Sequence, residues 1–276
     1  MKKILVTTDL SENSKEAAHF ALKIALHDTY ELTFYHVYHL LKPNSWTDHA
    51  LRSYEQRESK KIKAKLIHFV EAITKAIGHI PHKIQVAVDD APSVSKSILD
   101  YATLHHFNFI CLGTTGEGKF RRIIGSIATQ LIKDADIPII TVPKNHKTSK
   151  LKSVLFASDL LNLGEEVKLS TEFAKSIGAE LGLLHIQAPE DLSLDPGLIK
   201  QMIKRISDYP LKLHFKNWLL KKTLMENIQL TIEELKPSML ILFTDQDKNL
   251  VEKLLFPSFT REYVLLADIP LLIYKK

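Results

Sequence analysis

ADIPIITVPK at residues 135–144 returns almost unchanged as ADIPLLIYKK at residues 267–276, and this echo organises the whole chain. Working outward from it, ILVTTDLSE at 4–12 corresponds to VLFASDL at 154–160, each an apolar run that ends in aspartate, Asp9 or Asp159. ELTFYHVY at 31–38 corresponds to ELGLLHIQ at 180–187, FNFICLGTTG at 107–116 to SMLILFTD at 238–245, and GSIATQL at 125–131 to PSFTREY at 257–263. Five segments in one order, offset by about 130 to 150 residues, mark a duplicated unit. The polar stretch NHKTSK, 145–150, lies between the copies, so domains are expected over 1–146 and 151–276.

Within each copy the apolar runs are short, rich in Val, Ile, Leu and Phe, and mostly non-alternating, as in strands buried on both faces of a parallel sheet. Helical patterns lie between them. Asn13 is expected to cap the first helix, with Glu16 three residues on and Ala17, Phe20, Ala21, Ile24 and Ala25 as its apolar stripe. Further helices are expected from about 53 to 77 and from about 93 to 105. The alternation of strand and helix predicts an α/β protein of two tandem doubly wound domains. Each has a five-stranded parallel sheet with flanking helices, Rossmann-like, and binds ligands at the carboxyl ends of its strands.

Composition narrows the class. A chain of 276 residues suits two domains. With 45% hydrophobic and 25% charged residues, neither half reads as a disordered arm. MKKILVTTDL reaches Asp9 after an apolar run too short for a signal-peptide core or a membrane span, so a cytoplasmic protein is expected. The lone Cys111 sits inside FNFICLG, where an inert buried thiol in a reducing compartment is the expectation. Residues 1–150 carry 21 Lys and Arg against 15 Asp and Glu, or +6, whereas residues 151–276 carry 16 against 17, or −1. The surplus in the first copy suits an anionic ligand. Basic clusters such as KKIKAKL at 60–66 lack interleaved aromatics, so they read as solvated helix faces rather than a nucleic-acid surface.

LGTTGEGKFRRIIGSIATQLI, residues 112–132, carries the chemistry. It leaves a strand, passes Gly113, Gly116 and Gly118, and enters a helix at Gly125 and Ser126. Glycines let backbone approach a ligand closely, free amides at a helix start attract phosphate, and Ser126 adds a hydroxyl donor. Arg121 and Arg122 either add charge there or are simply exposed. Gly113, Gly118 and Lys119 satisfy the spacing GxxxxGK, but Phe120 stands where a P-loop needs Ser or Thr for magnesium. In the second copy Phe243, Asp245 and Pro257 replace Gly113, Gly116 and Gly125, leaving only Ser258, so that copy is expected to lack a phosphate loop.

With these residues in place, the first copy resembles the universal stress protein family. The likeness rests on TTDLSENS near the start, the pair His36 and Val37, the GTTG...GS loop and ADIPIITVPK, and as a tandem pair it spans the whole chain. It implies a cytoplasmic stress-response regulator that binds an adenine nucleotide, ATP or AMP, in the first domain, with magnesium as a candidate companion. It sets Asp9 and the Val37 backbone against the adenine, Thr7 and Thr8 beside the base, and Leu112, Gly113 and Gly116 along ribose and phosphates. Gly125, Ser126 and Ile127 would cradle the outer phosphates. Eight residues, Glu117 to Ile124, separate Gly116 from Gly125, where the family has nine. The second domain keeps Asp159 and is assigned a structural or regulatory role. The family likeness also implies that the last strands, ITVPK and LLIYK, pair the halves as an internal pseudo-dimer, with a homodimer and an unidentified regulatory protein as further partners and no membrane or nucleic acid.

Other chemistries stay open at this point. A slow ATPase or phosphotransferase would use Asp9 or Ser126, and an interaction module would bind no nucleotide. No catalytic residue is assigned. Asp9 could instead cap nearby amides, and His36 and His185 read as packed strand histidines rather than metal ligands.

Overall fold

β1 (Lys2–Thr7) buries Ile4, Leu5 and Val6 completely because it runs between two parallel neighbours. Ile4 pairs with Leu32 of β2 (Tyr30–Tyr38) on one side and with Phe109 of β4 (Phe109–Gly113) on the other. β3 (Ile84–Asp90) flanks β2 and β5 (Ile139–Val142) flanks β4, giving the order β3-β2-β1-β4-β5 with every pair parallel. Strands between two neighbours read as unbroken apolar runs, while the edge strand β3 is only half-buried. These coordinates are a computed structural model describing residues 1–27, 30–43, 45–78, 83–114, 126–144, 146, 151–187, 195–244 and 269–276. The chain forms two compact units, Met1–Thr148 and Ser149–Lys276.

The described helices of the first unit are α1 (Glu12–Ala25), α2 (Asp48–Ile77), α3 (Val94–Leu104) and α4 (Ser126–Asp134). The expected stripe of α1 forms, with Ala17, Phe20, Ala21 and Ile24 fully buried. Its cap differs from expectation. Ser11 is the N-cap and Asn13 lies in the first turn, because the Asp9 carboxylate accepts from the Ser11 amide (3.0 Å) and hydroxyl (2.6 Å) and turns the chain two residues earlier. α2 also starts earlier than periodicity suggested. Thr47 caps it by accepting from the Ala50 amide, yet α2 buries only residues from Leu66 on, so its first half carries no apolar pattern to read. Gly78 closes α2 at φ 76°, a left-handed position that favours glycine.

In the second unit the described elements are β6 (Ser153–Ala157), α5 (Leu163–Ser176), β7 (Glu180–Gln187), α6 (Pro196–Ile206), β8 (Leu211–Asn217), α7 (Leu224–Leu235), β9 (Met239–Thr244) and β10 (Leu271–Lys275). Their strand order is β10-β9-β6-β7-β8, again parallel. Register makes the duplication quantitative: Ile4 opposes Phe109 as Val154 opposes Met239, so Gly113 and Phe243 are equivalent. Both units also turn through a leucine at positive φ, Leu10 at 65° and Leu160 at 68°. The amide of each donates to the hydroxyl two residues back, Thr8 or Ser158, at 2.9 Å. That turn explains why both copies keep a hydroxyl, Asp and Leu in sequence.

α7 starts with a full capping box: the Thr223 hydroxyl accepts from the Glu226 amide (3.3 Å) and the Glu226 carboxylate accepts from the Thr223 amide (2.5 Å). Thr223→Ala is expected to destabilise the second unit by about 1 kcal/mol. Urea unfolding followed by Trp218 emission in a Trp46→Phe background reads this unit alone, since Trp218 is the second of two tryptophans. An unchanged midpoint would contradict the expectation.

Candidate functional site

In the first unit strand order reverses direction between β1 and β4, and a cavity of about 220 Å³ opens beyond the carboxyl ends of those strands. Open α/β sheets hold ligands at this position because loops diverge there and leave a crevice. Thr7, Thr8 and Asp9 line it from the end of β1, Val37 from β2, Leu112 and Gly113 from β4, and Ser126 and Ile127 from the start of α4. The structure thus brings together eight of the ten residues singled out in the sequence. Gly116 and Gly125 lie outside the described residues, as do Gly118, Lys119, Arg121, Arg122, Asp245, Pro257 and Ser258.

Sequence reading missed Ser14, Tyr35, Val94, Ile98 and Ala128, which complete the lining. Val94 and Ile98 stand four apart on α3 and so share a face, a signal that was available. Tyr35 gave none. Its side chain is 1% exposed, its ring stacks on Tyr101 at 4.3 Å, and its hydroxyl bonds Ser97 (2.7 Å) and Asp89 (3.2 Å). Burial, then the Asp89 charge, keeps the Tyr35 phenol protonated well above its usual range.

Asp9 serves two ends at once. Partial burial opposes its charge, but hydrogen bonds from Ser11 and Ser14 outweigh that and hold its carboxyl below the usual range. It is therefore an anionic acceptor at pH 7, positioned by the capping contacts and still facing the cavity. Thr8 anchors the same turn, its hydroxyl 2.7 Å from that of Ser14, and the His36 Nδ1 lies 2.8 Å from the Thr8 carbonyl. His185 repeats this contact in the second unit, Nδ1 to the Ser158 carbonyl at 2.9 Å. Both histidines act as ties between strand ends. Among the described residues no group of three or more His, Cys, Asp or Glu side chains could hold a metal ion. Cys111 is buried with its thiol toward the Ala17 carbonyl, and burial pushes its pKa up.

The equivalent place in the second unit is chemically different. A cavity of about 190 Å³ is walled by Ile186, Trp218, Leu224, Ile228, Leu242 and Phe243, with Asp159 and Lys276 at its polar end. Phe243 stacks on Tyr274 (5.3 Å between ring centres, 14°) and meets Phe156 edge-on, so an aromatic ring stands where the first unit has Gly113. The Lys276 ammonium lies 2.9 Å from the Glu166 carboxylate and 3.2 Å from that of Asp159. Burial works against this ammonium, but Glu166 and then Asp159 hold its pKa above the ordinary lysine value. Glu166, only 1% exposed, also accepts a hydrogen bond from the Ser158 hydroxyl.

The model of the Universal stress protein family matches residues 1–143, just over half of the chain. A universal stress protein of Methanocaldococcus jannaschii is 28% identical over 158 residues, covering 53% of this chain and 84% of that protein. The crystal structure of a universal stress protein from Archaeoglobus fulgidus superposes with TM-score 0.70 at 18% identity, covering 99% of this chain and 98% of the other. A putative universal stress protein from Pseudomonas aeruginosa gives 0.55 at 14% identity, over 100% and 93%. At those identities the structural likeness speaks for fold alone, and it extends over both units. Among the described residues no helix is long and apolar enough to cross a membrane.

Proposed function

The chain belongs to the universal stress protein family, and from that premise we propose that its first unit is a receptor for an adenine nucleotide, ATP or AMP, through which the protein regulates a stress response in the cytoplasm. One observation carries the proposal: Thr7, Thr8, Asp9, Val37, Leu112, Gly113, Ser126 and Ile127, drawn from four separate elements, line a single cavity at the switch point of the sheet. The ionised Asp9 is an acceptor, so it suits a base edge that presents N–H donors and repels phosphate. Phosphates therefore belong at the opposite side, where Ser126 opens α4 and supplies a hydroxyl beside the positive end of a helix. Val37 and Ile98 offer apolar contact for the base between these poles. A cavity of about 220 Å³ is smaller than the roughly 300–1,000 Å³ usual for larger ligands, which suits a base with the rest of the nucleotide running outward past Ser126.

The second unit, with Phe243 at the position of Gly113, holds no nucleotide in this reading. Calorimetry of the full chain with ATP and with AMP is expected to give one bound nucleotide per chain for at least one of them. Asp9→Asn is expected to weaken it about tenfold, because an amide supplies a competing donor toward the base. Absence of heat with both nucleotides would overturn the proposal.

A further inference from the structure

The cavity of the second unit is usually what a lost site looks like only if its walls have collapsed, and these have not: about 190 Å³ remains open among well-packed side chains. Its chemistry differs from the first unit's in a consistent direction. Both cavities have apolar walls, but the second adds the rings of Trp218 and Phe243 beside Ser158 and His185, where the first has Gly113 and the hydroxyls of Thr7, Thr8, Ser14 and Ser126. At its polar end two carboxylates, Asp159 and Glu166, face one ammonium, Lys276. Lys276 is engaged by both carboxylates and is only 11% exposed, so it is not available to receive an anion. Asp159 is different. It lines the cavity and is 38% exposed, so although Lys276 reaches it at 3.2 Å it keeps an open side, and among the described charges there two carboxylates meet one ammonium.

We propose that this cavity is a binding site for a small aromatic organic cation, an arylamine or amidine whose ring packs on the apolar walls and whose charged donor meets Asp159. Aromatic walls attract a cation through the negative faces of their rings, and Asp159 supplies the directional acceptor. An anion of the same size meets the exposed Asp159 carboxylate, while Lys276, the lysine of the described lining, is already engaged by two carboxylates. Replacement of the glycine by Phe243 thus converts the site rather than merely closing it, and it does so independently of what the first unit binds.

Benzamidine, benzyl alcohol and benzoate share a ring and differ in charge, so they serve as probes. In the Trp46→Phe variant of the 276-residue chain the Trp218 indole N–H gives a single resonance, and its shift reports occupancy of this cavity. Saturable shifts with benzamidine are expected at a Kd on the order of 1 mM, reasonable for nine non-hydrogen atoms. Benzoate is expected to bind at least tenfold more weakly. Asp159→Asn, whose amide oxygen can still accept from the Leu161 amide that Asp159 now holds at 3.0 Å, is expected to weaken benzamidine tenfold and leave benzyl alcohol unchanged, the latter also reporting that the cavity is intact. Equal binding of benzoate and benzamidine, an Asp159→Asn protein that binds benzamidine as before, or no saturable shift with any probe would each overturn the proposal.

Discussion

Lys276→Met is expected to destabilise the second unit by about 3 kcal/mol, because removing one partner of a buried ion pair leaves the other charged, desolvated and uncompensated. The stranded group is Glu166, which is 1% exposed and keeps only the Ser158 hydroxyl once the ammonium 2.9 Å away is gone. Asp159, at 38% exposure, is rehydrated and adds little. The double variant Glu166→Gln, Lys276→Met is expected to recover at least half of the loss, since a neutral amide can still accept from Ser158 without a buried charge.

The two proteins also respond differently to pH. In the native protein Lys276 has a folded-state pKa above its unfolded value. Its contribution is therefore complete below the ordinary lysine value of about 10.4 and is lost as pH rises through the folded value. Lys276→Met has no ammonium to titrate there and is expected to lack that loss at high pH. Urea midpoints of the Trp218 transition at pH 7, 10 and 12 measure both the loss and its pH dependence. A Lys276→Met midpoint within about 1 kcal/mol of the parent at pH 7 would show that the pair is hydrated and carries no such energy.

Why this network escaped the sequence is physical. Glu166 sits in the first turn of α5, where a carboxylate ordinarily favours the helix dipole from solvent, and nothing local marks it as buried. What buries it is a lysine 110 residues further along the chain, brought beside it by β10 packing next to β9 and β9 next to β6. Strands, by contrast, were legible because apolar runs such as Ile4–Val6 and Met239–Phe243 report two-sided burial directly. Asp9 was singled out through the family resemblance of TTDLSENS, its turn recurs at Asp159, and the register of β4 and β9 supports the alignment of Gly113 with Phe243. The first half of α2 was not, since its exposed face gives periodicity nothing to show. Tyr35 was hidden for the opposite reason: a buried tyrosine in a strand reads as core, and only the cavity on one side and the Ser97 and Asp89 bonds on the other show that it borders the site.

Gly113→Phe is expected to lower the affinity of the first unit for adenine nucleotide by at least about 100-fold, or roughly 2.7 kcal/mol. Gly113 is the last residue of β4 and pairs with Val142 in extended backbone, so a side chain is compatible with its conformation and the effect is steric rather than a matter of backbone strain. At the equivalent position Phe243 is held by a stacked Tyr274 and an edge-on Phe156. The first unit offers Val142 and Val6 in those places, which give a ring no aromatic partner. The introduced phenyl group therefore turns into the cavity that Gly113 now borders together with Thr7, Leu112 and Ser126. Because it fills existing space, the stability of the first unit is expected to change by less than about 1 kcal/mol, well below the cost of overpacking a closed core. Gly113→Ala separates bulk from the loss of glycine itself and is expected to bind within about tenfold of the parent. Calorimetric titration of the three proteins with ATP and AMP decides the matter. If Gly113→Phe binds as tightly as the parent, the nucleotide does not occupy the crevice between β1 and β4, even if it binds the chain elsewhere.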